Sequence, residues 1–429
     1  MRFKTRPVTL TLAAIAAFLL LALAVLWVGP RTDAAHRALG EYLSGVAGLP
    51  VTVDSLWIGI LPTPSLEIGG LEIAQPPGFG TDPLLEAGSA RVALTWGAAF
   101  GGDPALRSIK ISDTTLRPAF IANGSDNFSA LIERLSELGG EGESHWSIGK
   151  FELERSALEF YDAAADLSFG LTAIGVTADS VAPAADFPVE LQLAGVSGGN
   201  TLHFSLQGRG RIEPDASRYL AHDLKFKGWL GGDPLPLAGI ELEGGIGVAS
   251  FDGKSGAAEI GLGTMTLAGI RSEFGLQAMV GDRGTNLAFT LATSPFSPRS
   301  AAIALGSPLP ATADPDAFGS MEFSAKGRLD QGVLQLDFTG GWLDDTQWSG
   351  SMVPQFRQLR IHADKIDIDR YLAPGSKVRG EKKATLEESV AALGKLDIDA
   401  EIRIDEAQVA GAKLRNTVLK VERGGGTPP

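Results

Sequence analysis

The fold class is decided by residues 51–73, which read VTVDSLWIGILPTPSLEIGGLEI. Apolar residues stand two apart in pairs such as Val51 and Val53 or Leu66 and Ile68, and Pro, Gly and Ser separate the pairs. A spacing of two places these side chains on one face of an extended chain, and the separators are typical turn residues. The stretch therefore predicts short, successive β-strands.

The same alternation continues along most of the chain, to about residue 369. It recurs in residues 92–96, 109–111, 151–171, 189–193, 202–206 and 224–229. Glycine-rich runs among these segments fit tight turns or bulges better than ligand loops. Two final strands are predicted at residues 396–404 and 414–421. We therefore expect a mainly β protein of short antiparallel strands with a few short helices.

The N-terminal segment carries a long apolar run. Val8 to Val28 is 21 residues without a charge, which is long enough as a helix to cross a hydrocarbon core of roughly 30 Å. Arg2, Lys4 and Arg6 precede it, and this basic excess favours a cytoplasmic N-terminus. A cleaved signal peptide is the alternative, but its apolar region usually runs about 7 to 15 residues. In both cases the bulk of the chain is exported.

Turn and cap signals divide the rest of the chain. Thr32 or Asp33 is a good N-cap for a helix that Gly48 ends, and a second short helix is predicted over 127–138. The predicted organisation is a cytoplasmic tail over 1–7, a transmembrane helix over 8–28, a juxtamembrane helix over 31–48, an N-terminal β region over 49–138, a linker over 139–144, a main β-sheet region over 145–380, a short helix over 381–395, C-terminal strands over 396–423 and a disordered tail over 424–429.

Composition excludes several classes of protein. The net charge is -14 and there is no stretch rich in Lys and Arg, so nucleic-acid binding is not expected. The chain has no cysteine, so no disulfides stabilise it and the fold must depend on burial and strand pairing.

No motif for catalysis or for a cofactor is found. The five histidines, at positions 36, 145, 203, 222 and 362, have no partner at metal-binding spacing, and there is no Walker A run and no nucleophile elbow. The densest acidic group is Asp364, Asp367 and Asp369, which alternates with isoleucine and is therefore interpreted as the solvated face of a strand. We expect a protein that is not an enzyme, with no metal and no cofactor.

Several short segments, taken as a set and in this order, resemble the AsmA family. They are the N-terminal anchor, Gly48 to Val53, Pro64 to Ile68, Asn123 to Phe128, Ser294 to Arg299 with Phe296, Leu343-Asp344-Asp345-Thr346 with Gly350, and Asp364 to Leu372 with Asp369, Arg370 and Tyr371. The resemblance covers the chain from the anchor to about residue 421. Asn123 and Phe128 stand where the family has Asp and Trp, and the chain stops where the family continues through further strands, as expected of a truncated or short member.

The resemblance implies both a shape and a role. Members are inner-membrane proteins of double-membraned bacteria, and their periplasmic part is linked to outer-membrane assembly. Many resemble repeating β-groove lipid-transfer proteins. For this chain it implies an elongated, curved antiparallel sheet with an apolar concave face along which phospholipid acyl chains lie. Phe296, Asp344, Asp345, Thr346, Asp369, Arg370 and Tyr371 are then structural motif residues.

Three hypotheses for function follow. In the first, a groove that carries or shields phospholipid is lined by Leu153, Phe160, Phe169, Leu191, Phe204, Phe226 and Phe289, although these positions suit an ordinary core equally well. In the second, an anchored scaffold binds envelope proteins through its strand edges and carries no lipid. In the third, the chain is an envelope hydrolase.

Overall fold

The computed structural model describes residues 32–101, 105–122, 125–131, 134, 146–163, 167–197, 199–213, 218–232, 239–281, 284–330, 333–374, 399–409 and 411–421. These residues form a mainly β protein with a few short helices. Contacts between Cα atoms divide the chain into two units, unit 1 over Met1–Ala216 and unit 2 over Ser217–Pro429.

Unit 1 has nine described strands. Its elements are helix α1 (Asp33–Ala47), β1 (Val51–Gly59), β2 (Ser65–Ile73), β3 (Leu85–Leu94), the single-turn helix α2 (Trp96–Ala99), β4 (Ala105–Leu116), β5 (Ala119–Phe120), β6 (Ser147–Asp162), β7 (Leu167–Val181), β8 (Asp186–Ser197) and β9 (Asn200–Ile212).

Unit 2 has eleven described strands. Its elements are β10 (Arg218–Gly232), β11 (Ile240–Asp252), β12 (Ala257–Leu267), β13 (Ile270–Gly281), β14 (Gly284–Thr293), helix α3 (Pro298–Ala304), β15 (Met321–Asp330), β16 (Val333–Leu343), β17 (Thr346–Val353), the 3-10 helix η1 (Pro354–Phe356), β18 (Gln358–Asp367), the 3-10 helix η2 (Ile368–Tyr371), β19 (Asp399–Val409) and β20 (Ala412–Val421).

Helix α1 begins and ends at capping residues. The side chain of Thr32 accepts a hydrogen bond from the N–H of Ala35 at 3.3 Å. Gly48 adopts a left-handed backbone, with φ at 71°, and its N–H donates to the carbonyl of Ser44 at 2.9 Å. Both caps satisfy backbone groups that a helix leaves without intrahelical partners.

Most neighbouring strands pair antiparallel, but not all of them. In unit 1, β6 runs parallel to β4 and to β5, and in unit 2, β19 runs parallel to β18. The expectation of antiparallel pairing is therefore incomplete. In each case a long connection returns the chain to the end of the sheet at which the previous strand began. The connections run from Leu116 to Ser147 and from Asp367 to Asp399.

In unit 1, the side-chain alternation changes phase at matched positions in neighbouring strands. Gly70, Asp113, Arg155 and Ala173 have φ values of 63°, 57°, 50° and 51°. The pairing of β2, β4 and β6 with their neighbours is interrupted at these residues and resumes in the same register beyond them. Strands β2, β4, β6 and β7 thus each contain one extra residue near the same level, as in a row of aligned β-bulges. We call this row the bulge line.

The bulge line explains why the predicted strands were too short. Ile68 and Leu71 stand three apart, which looks like the end of one strand and the start of another. They belong to a single strand, β2, because the residue with positive φ between them restores both side chains to one face. The pairs near Val53 and Ile58 likewise both lie in β1.

Two other predicted boundaries differ. Strand β18 ends at Asp367, and Asp369 lies in the 3-10 helix η2 instead of on a strand face. The two final strands begin and end at Asp399–Val409 and Ala412–Val421.

Several predictions fall outside the described residues: the cytoplasmic tail and transmembrane helix at 1–28, the Asn123-Gly124 turn, the linker over 139–144, the short helix over 381–395 and the tail over 424–429. The helix predicted over 127–138 is described in part, with residues 129–131 and 134 helical. Within the described ranges, no helix combines the length and apolar character needed to cross a membrane.

Replacing Gly70 by Ala tests the bulge line. An added Cβ at Gly70 would overlap the carboxylate of Asp54 on β1, and φ is positive there. We expect the full chain in detergent to lose about 1–2 kcal/mol of unfolding free energy, measured by urea denaturation. Gly45→Ala is the control, since nothing lies within 4 Å of an added Cβ there and Ala favours a helix by up to about 1 kcal/mol. Equal stability of both variants would contradict the bulge line.

Candidate functional site

The strand register of unit 1 aligns apolar side chains across the sheet. Residues directly opposite each other on paired strands share a face. One such row crosses eight strands and contains no polar residue: Leu56, Ile68, Ala90, Ile111, Leu153, Val176, Leu191 and Leu206. A second row, Val51, Ile73, Leu85, Leu116, Leu158, Leu171, Gly195 and Leu202, lies beyond the bulge line and is equally apolar.

The opposite face of unit 1 is polar. The row adjacent to the first apolar row is Trp57, Glu67, Arg91, Lys110, Glu152, Thr177, Glu190 and Gln207. Lys110 lies 2.9 Å from a carboxylate oxygen of Glu154, so ion pairs connect neighbouring strands on this face. The sheet of unit 1 therefore has one apolar and one polar face.

Unit 2 has the same two-faced character over eleven strands. Its apolar row is Leu224, Ile246, Gly263, Phe274, Leu291, Ala325, Phe338, Gly350, Ile361, Ile402 and Leu419. A polar row on the other face is Gly275, Thr290, Lys326, Asp337, Ser351, Arg360, Glu401 and Lys420.

The apolar faces are not covered as a globular core is. All eight members of the first row of unit 1 are half-buried, and so are the large side chains of the unit 2 row except Leu224. A sheet face packed under a second layer has fully buried side chains in its middle strands. The described residues of these rows are therefore mostly left partly exposed to solvent.

The structure places all seven predicted groove residues on these apolar faces. Leu153 and Leu191 belong to the first row of unit 1, and Phe160 and Phe169 are register partners whose rings stack at 4.9 Å. Phe204 lies opposite Leu193 on β8. In unit 2, Phe226 is 7% exposed and Phe289 is half-buried. Five of the residues lie in unit 1 and two in unit 2.

Aromatic rings in unit 2 lie over glycines on the neighbouring strand. Phe289 pairs with Gly327, and Phe274 pairs with Gly263. A Cβ added to either glycine would overlap the ring. Glycine therefore lets the ring rest against the backbone of the next strand, so the ring covers the sheet.

Helix α1 covers one end of the apolar face of unit 1. Ala47 at its end packs with Val51, Leu84 and Leu131 in a buried cluster that also contacts Leu116. Leu84 is fully buried, with an exposure of 0%. The cluster thus joins α1 to members of the second apolar row on β1, β2 and β4, and the first row is not part of this cluster.

A separate polar cluster in unit 2 contains most of the predicted motif residues. Asp344, at the turn between β16 and β17, accepts hydrogen bonds from the N–H groups of Phe318, Gly319 and Ser320 at 2.9–3.1 Å. It also accepts one from the hydroxyl of Tyr371 at 2.8 Å. One carboxylate therefore joins the turn, η2 and the segment before β15.

Arg370 and Phe296 complete this cluster. The guanidinium of Arg370 donates to Asp314 at 2.6 Å and to Asp345 at 2.8 Å. Phe296 exchanges backbone hydrogen bonds with Met321 at 2.9 and 2.7 Å. These contacts fasten the segment between β14 and β15, which contains α3, to the end of the sheet.

Charges in the cluster shift the pKa of several groups. Burial alone raises the pKa of Asp344, but the hydrogen bond from Tyr371 and the three backbone N–H groups together lower it below its usual value. Burial, and then the bond to Asp344, raises the pKa of Tyr371. The N–H of Asp316, followed by Arg370, lowers the pKa of Asp314. Hydrogen bonds of the cluster thus lower the pKa of Asp314 and Asp344, and burial is the main cause of the raised pKa of Tyr371.

The three acidic residues that the sequence placed on a solvated strand face, Asp364, Asp367 and Asp369, instead accept hydrogen bonds from backbone N–H groups. Asp364 accepts from the N–H of Gln347 at 2.8 Å, Asp367 caps η2 through the N–H of Asp369 at 3.1 Å, and Asp369 accepts from the N–H of Gly411 at 2.8 Å. Thr346 is 6% exposed. Over the residues that the structure covers, no group of three or more His, Asp or Glu side chains could hold a metal ion.

Sequence reasoning missed Asp314, and it included Arg299 only as the end of the Ser294 to Arg299 motif, with no role assigned. Arg299 donates to Thr312 at 2.8 Å and to the carbonyl of Ala317 at 2.9 Å, within the segment that Asp314 and Arg370 fasten. Asp314 stands in no alternating segment, and its partner Arg370 lies 56 positions further along the chain, so no local pattern could have identified it.

Two cavities of unit 2 are bounded mainly by polar residues. One, of about 450 Å³, is lined by residues that include Gln277, Lys326 and Arg328. The other, of about 430 Å³, adjoins the motif cluster and is lined by residues that include Lys365 and Lys413. Neither of these two cavities is enclosed by the apolar rows.

Comparison of the chain with protein-family models, with curated proteins and with solved structures gives no match in any of the three.

Replacing Asp344 by Asn tests the motif cluster. Asn tolerates the left-handed backbone at this position, where φ is 50°, but it lacks the charge and accepts fewer bonds. We expect a loss of about 1–3 kcal/mol at pH 7. Because folding lowers the pKa of Asp344, the difference from the parent chain should shrink as the pH falls below about 4.

The matched control for this substitution is Asp345→Asn at the next position. The side chain of Asp345 is 80% exposed and bonds only to Arg370 among the described partners, so unfolding measured by urea at several pH values should change little. A loss equal to that of Asp344→Asn would contradict the assigned role.

Proposed function

We propose that this protein is an inner-membrane-anchored periplasmic protein that carries or shields phospholipid acyl chains on the apolar faces of its sheet. Acyl chains laid along such a face would leave water at a gain of about 0.8 kcal/mol per buried CH₂, while head groups stay in solvent. The elongated, curved, groove-like shape is part of this proposal. In this proposal the protein supports outer-membrane assembly.

The observation that carries the proposal is the uninterrupted apolar row. Eight consecutive positions in unit 1 and eleven in unit 2 contain no polar side chain, yet most are half-buried. A monomeric soluble protein rarely leaves a contiguous apolar surface of this kind without a ligand or partner for it.

Two further features support the proposal. The run from Val8 to Val28 is suited to a membrane anchor, and α1 begins shortly after it and packs at one end of the apolar face of unit 1. The AsmA resemblance combines the same two parts. In the motif cluster, the charged groups are hydrogen-bonded to the backbone and to each other, as in a structural role and not a hydrolytic one.

The scaffold hypothesis remains the alternative. It shares the anchor and the strands but has no lipid on the apolar face. It therefore predicts that the face is occupied by protein or closed in the cell, and the following experiment separates the two.

Photocrosslinking tests the proposal directly. A photoreactive amino acid is placed at Leu191 or Leu153, on the apolar face, in the full chain in bacterial membranes. Adjacent positions Glu190 and Glu152, on the polar face of the same strands, are the matched controls. We expect phospholipid adducts, identified by mass spectrometry, at the leucine positions and not at the glutamate positions.

Two results would contradict the proposal. Adducts of equal yield on both faces would mean nonspecific contact with lipid. Protein adducts at the leucine positions with no lipid would favour the scaffold.

Removing the anchor tests why the protein is tethered. We expect that a chain without residues 1–30, exported by another signal, folds but fails to restore the outer-membrane barrier of a deletion strain, because lipid must be collected at the membrane surface. Barrier function is measured by sensitivity to a large hydrophobic antibiotic, and urea unfolding provides the folding control. Full rescue by the untethered chain would show that the anchor serves only for localisation.

A further inference from the structure

Strand β20 has one unpaired edge among the described residues. It pairs with β19 over Ala412–Val421, and no other described strand contacts it substantially. Most of its residues are exposed, including Leu414 at 42% and Val418 at 50%. Its outward N–H and C=O groups can therefore pair with an additional extended segment.

The charges on β20 are all of one sign. Its sequence, AKLRNTVLKV, contains Lys413, Arg415 and Lys420 and no acidic residue, whereas the whole chain has a net charge of -14. The side chain of Arg415 is 82% exposed. This edge is thus a local cationic feature of an acidic protein.

The charges of the three last strands alternate in sign across the sheet. One register row is Arg360, Glu401 and Lys420, and another is Lys365, Glu406 and Arg415. The Nε atom of Arg415 lies 3.8 Å from Glu406. Opposite charges on directly opposed residues stabilise a strand pair. Each row therefore ends at β20 with a cation, and the next strand would complement it with an acid.

The apolar rows also end at β20. Ile361, Ile402 and Leu419 form one row, and Ile366, Ala407 and Leu414 form another. Leu414 and Leu419 stand five apart on one face because β20 changes phase at Asn416. An added segment would extend the apolar face if its apolar and acidic residues alternated on both sides of one extra residue opposite Asn416.

A second copy of β20 does not fit this edge. An antiparallel pairing centred on Asn416 and Thr417 would place Lys413 opposite Lys420, and like charges in direct opposition destabilise a strand pair. Edge lysines commonly protect sheets from such self-association. If these cations served only to prevent self-association, they would not exclude an acidic strand more strongly than a neutral one.

We propose that the free edge of β20 is a docking site for an extended segment of another protein in which acidic and apolar residues alternate. The segment adds to the sheet by backbone pairing and carries one extra residue opposite Asn416, where β20 itself changes phase with φ at 52°. Its acidic side chains then face both Arg415 and Lys420, and its apolar side chains continue the apolar rows. This inference does not depend on lipid carriage.

Two ten-residue peptides test the docking site. In one, valine alternates with glutamate on both sides of a single glycine placed to lie opposite Asn416, where β20 changes phase, and in the other lysine replaces glutamate. Each is titrated by fluorescence anisotropy against the full chain in nanodiscs of zwitterionic lipid. We expect binding of the glutamate peptide only, with hydrogen-exchange protection confined to residues 412–421 and to their partners on β19.

Charge reversal then tests the recognition. Arg415→Glu with Lys420→Glu should exchange the preference, so that the lysine peptide binds and the glutamate peptide does not. The control is Lys326→Glu with Arg328→Glu on β15, a middle strand, which should leave binding unchanged. Because reversal could detach β20, Arg415→Gln with Lys420→Gln is measured as well and should weaken the glutamate peptide about tenfold.

The proposal is overturned if neither peptide binds the parent chain, if both bind equally, or if protection falls outside β20. It is also overturned if the Lys326 and Arg328 control loses binding as the β20 variants do.

Discussion

The two-residue period of the β-strand is the constraint on which the rest of the structure depends. A shift of one residue in any strand would move its apolar side chains to the polar face. The apolar rows of unit 1 stay on one face across β1 to β4, β6 and β7 because these strands carry an extra residue near the same level. Gly70 provides it in β2, and Asp113 and Arg155, which form a bidentate ion pair at 2.7 and 2.8 Å, provide it in β4 and β6.

Strand β8 shows how this constraint operates. It lacks the extra residue, so the register between β7 and β8 shifts between Thr172 and Gly175. The shift restores Leu191 and Gly195 to the same face as Val176 and Leu171 on β7. The positions of the backbone irregularities thus match the changes in the apolar alternation of the sequence. The result is a sheet face that stays apolar from strand to strand.

Much of this was predictable from the sequence, for physical reasons. Alternation identifies strands and the faces of residues such as Leu153 and Phe289, because side-chain direction follows from local geometry alone. The positions of the bulges, the parallel pairing of β6 and β19, and the partners of Asp344 were not predictable. They depend on which strands become neighbours, and Asp314 reaches Arg370 across 56 positions of the chain.

The acidic residues show the same limit. Asp364, Asp367 and Asp369 alternate in the sequence like a solvated strand face, but β18 ends at Asp367 and each carboxylate accepts a backbone N–H. A capping role depends on where a strand ends, which alternation does not encode. The same group therefore supports the fold.

The central claim is that these faces hold lipid. Its most direct measurement is native mass spectrometry of the full chain, released from detergent after purification from bacterial membranes. The account predicts a series of masses above that of the bare chain, separated by the masses of intact phospholipids and lost on stronger activation. A single mass equal to the bare chain, from protein that remains folded, would contradict it.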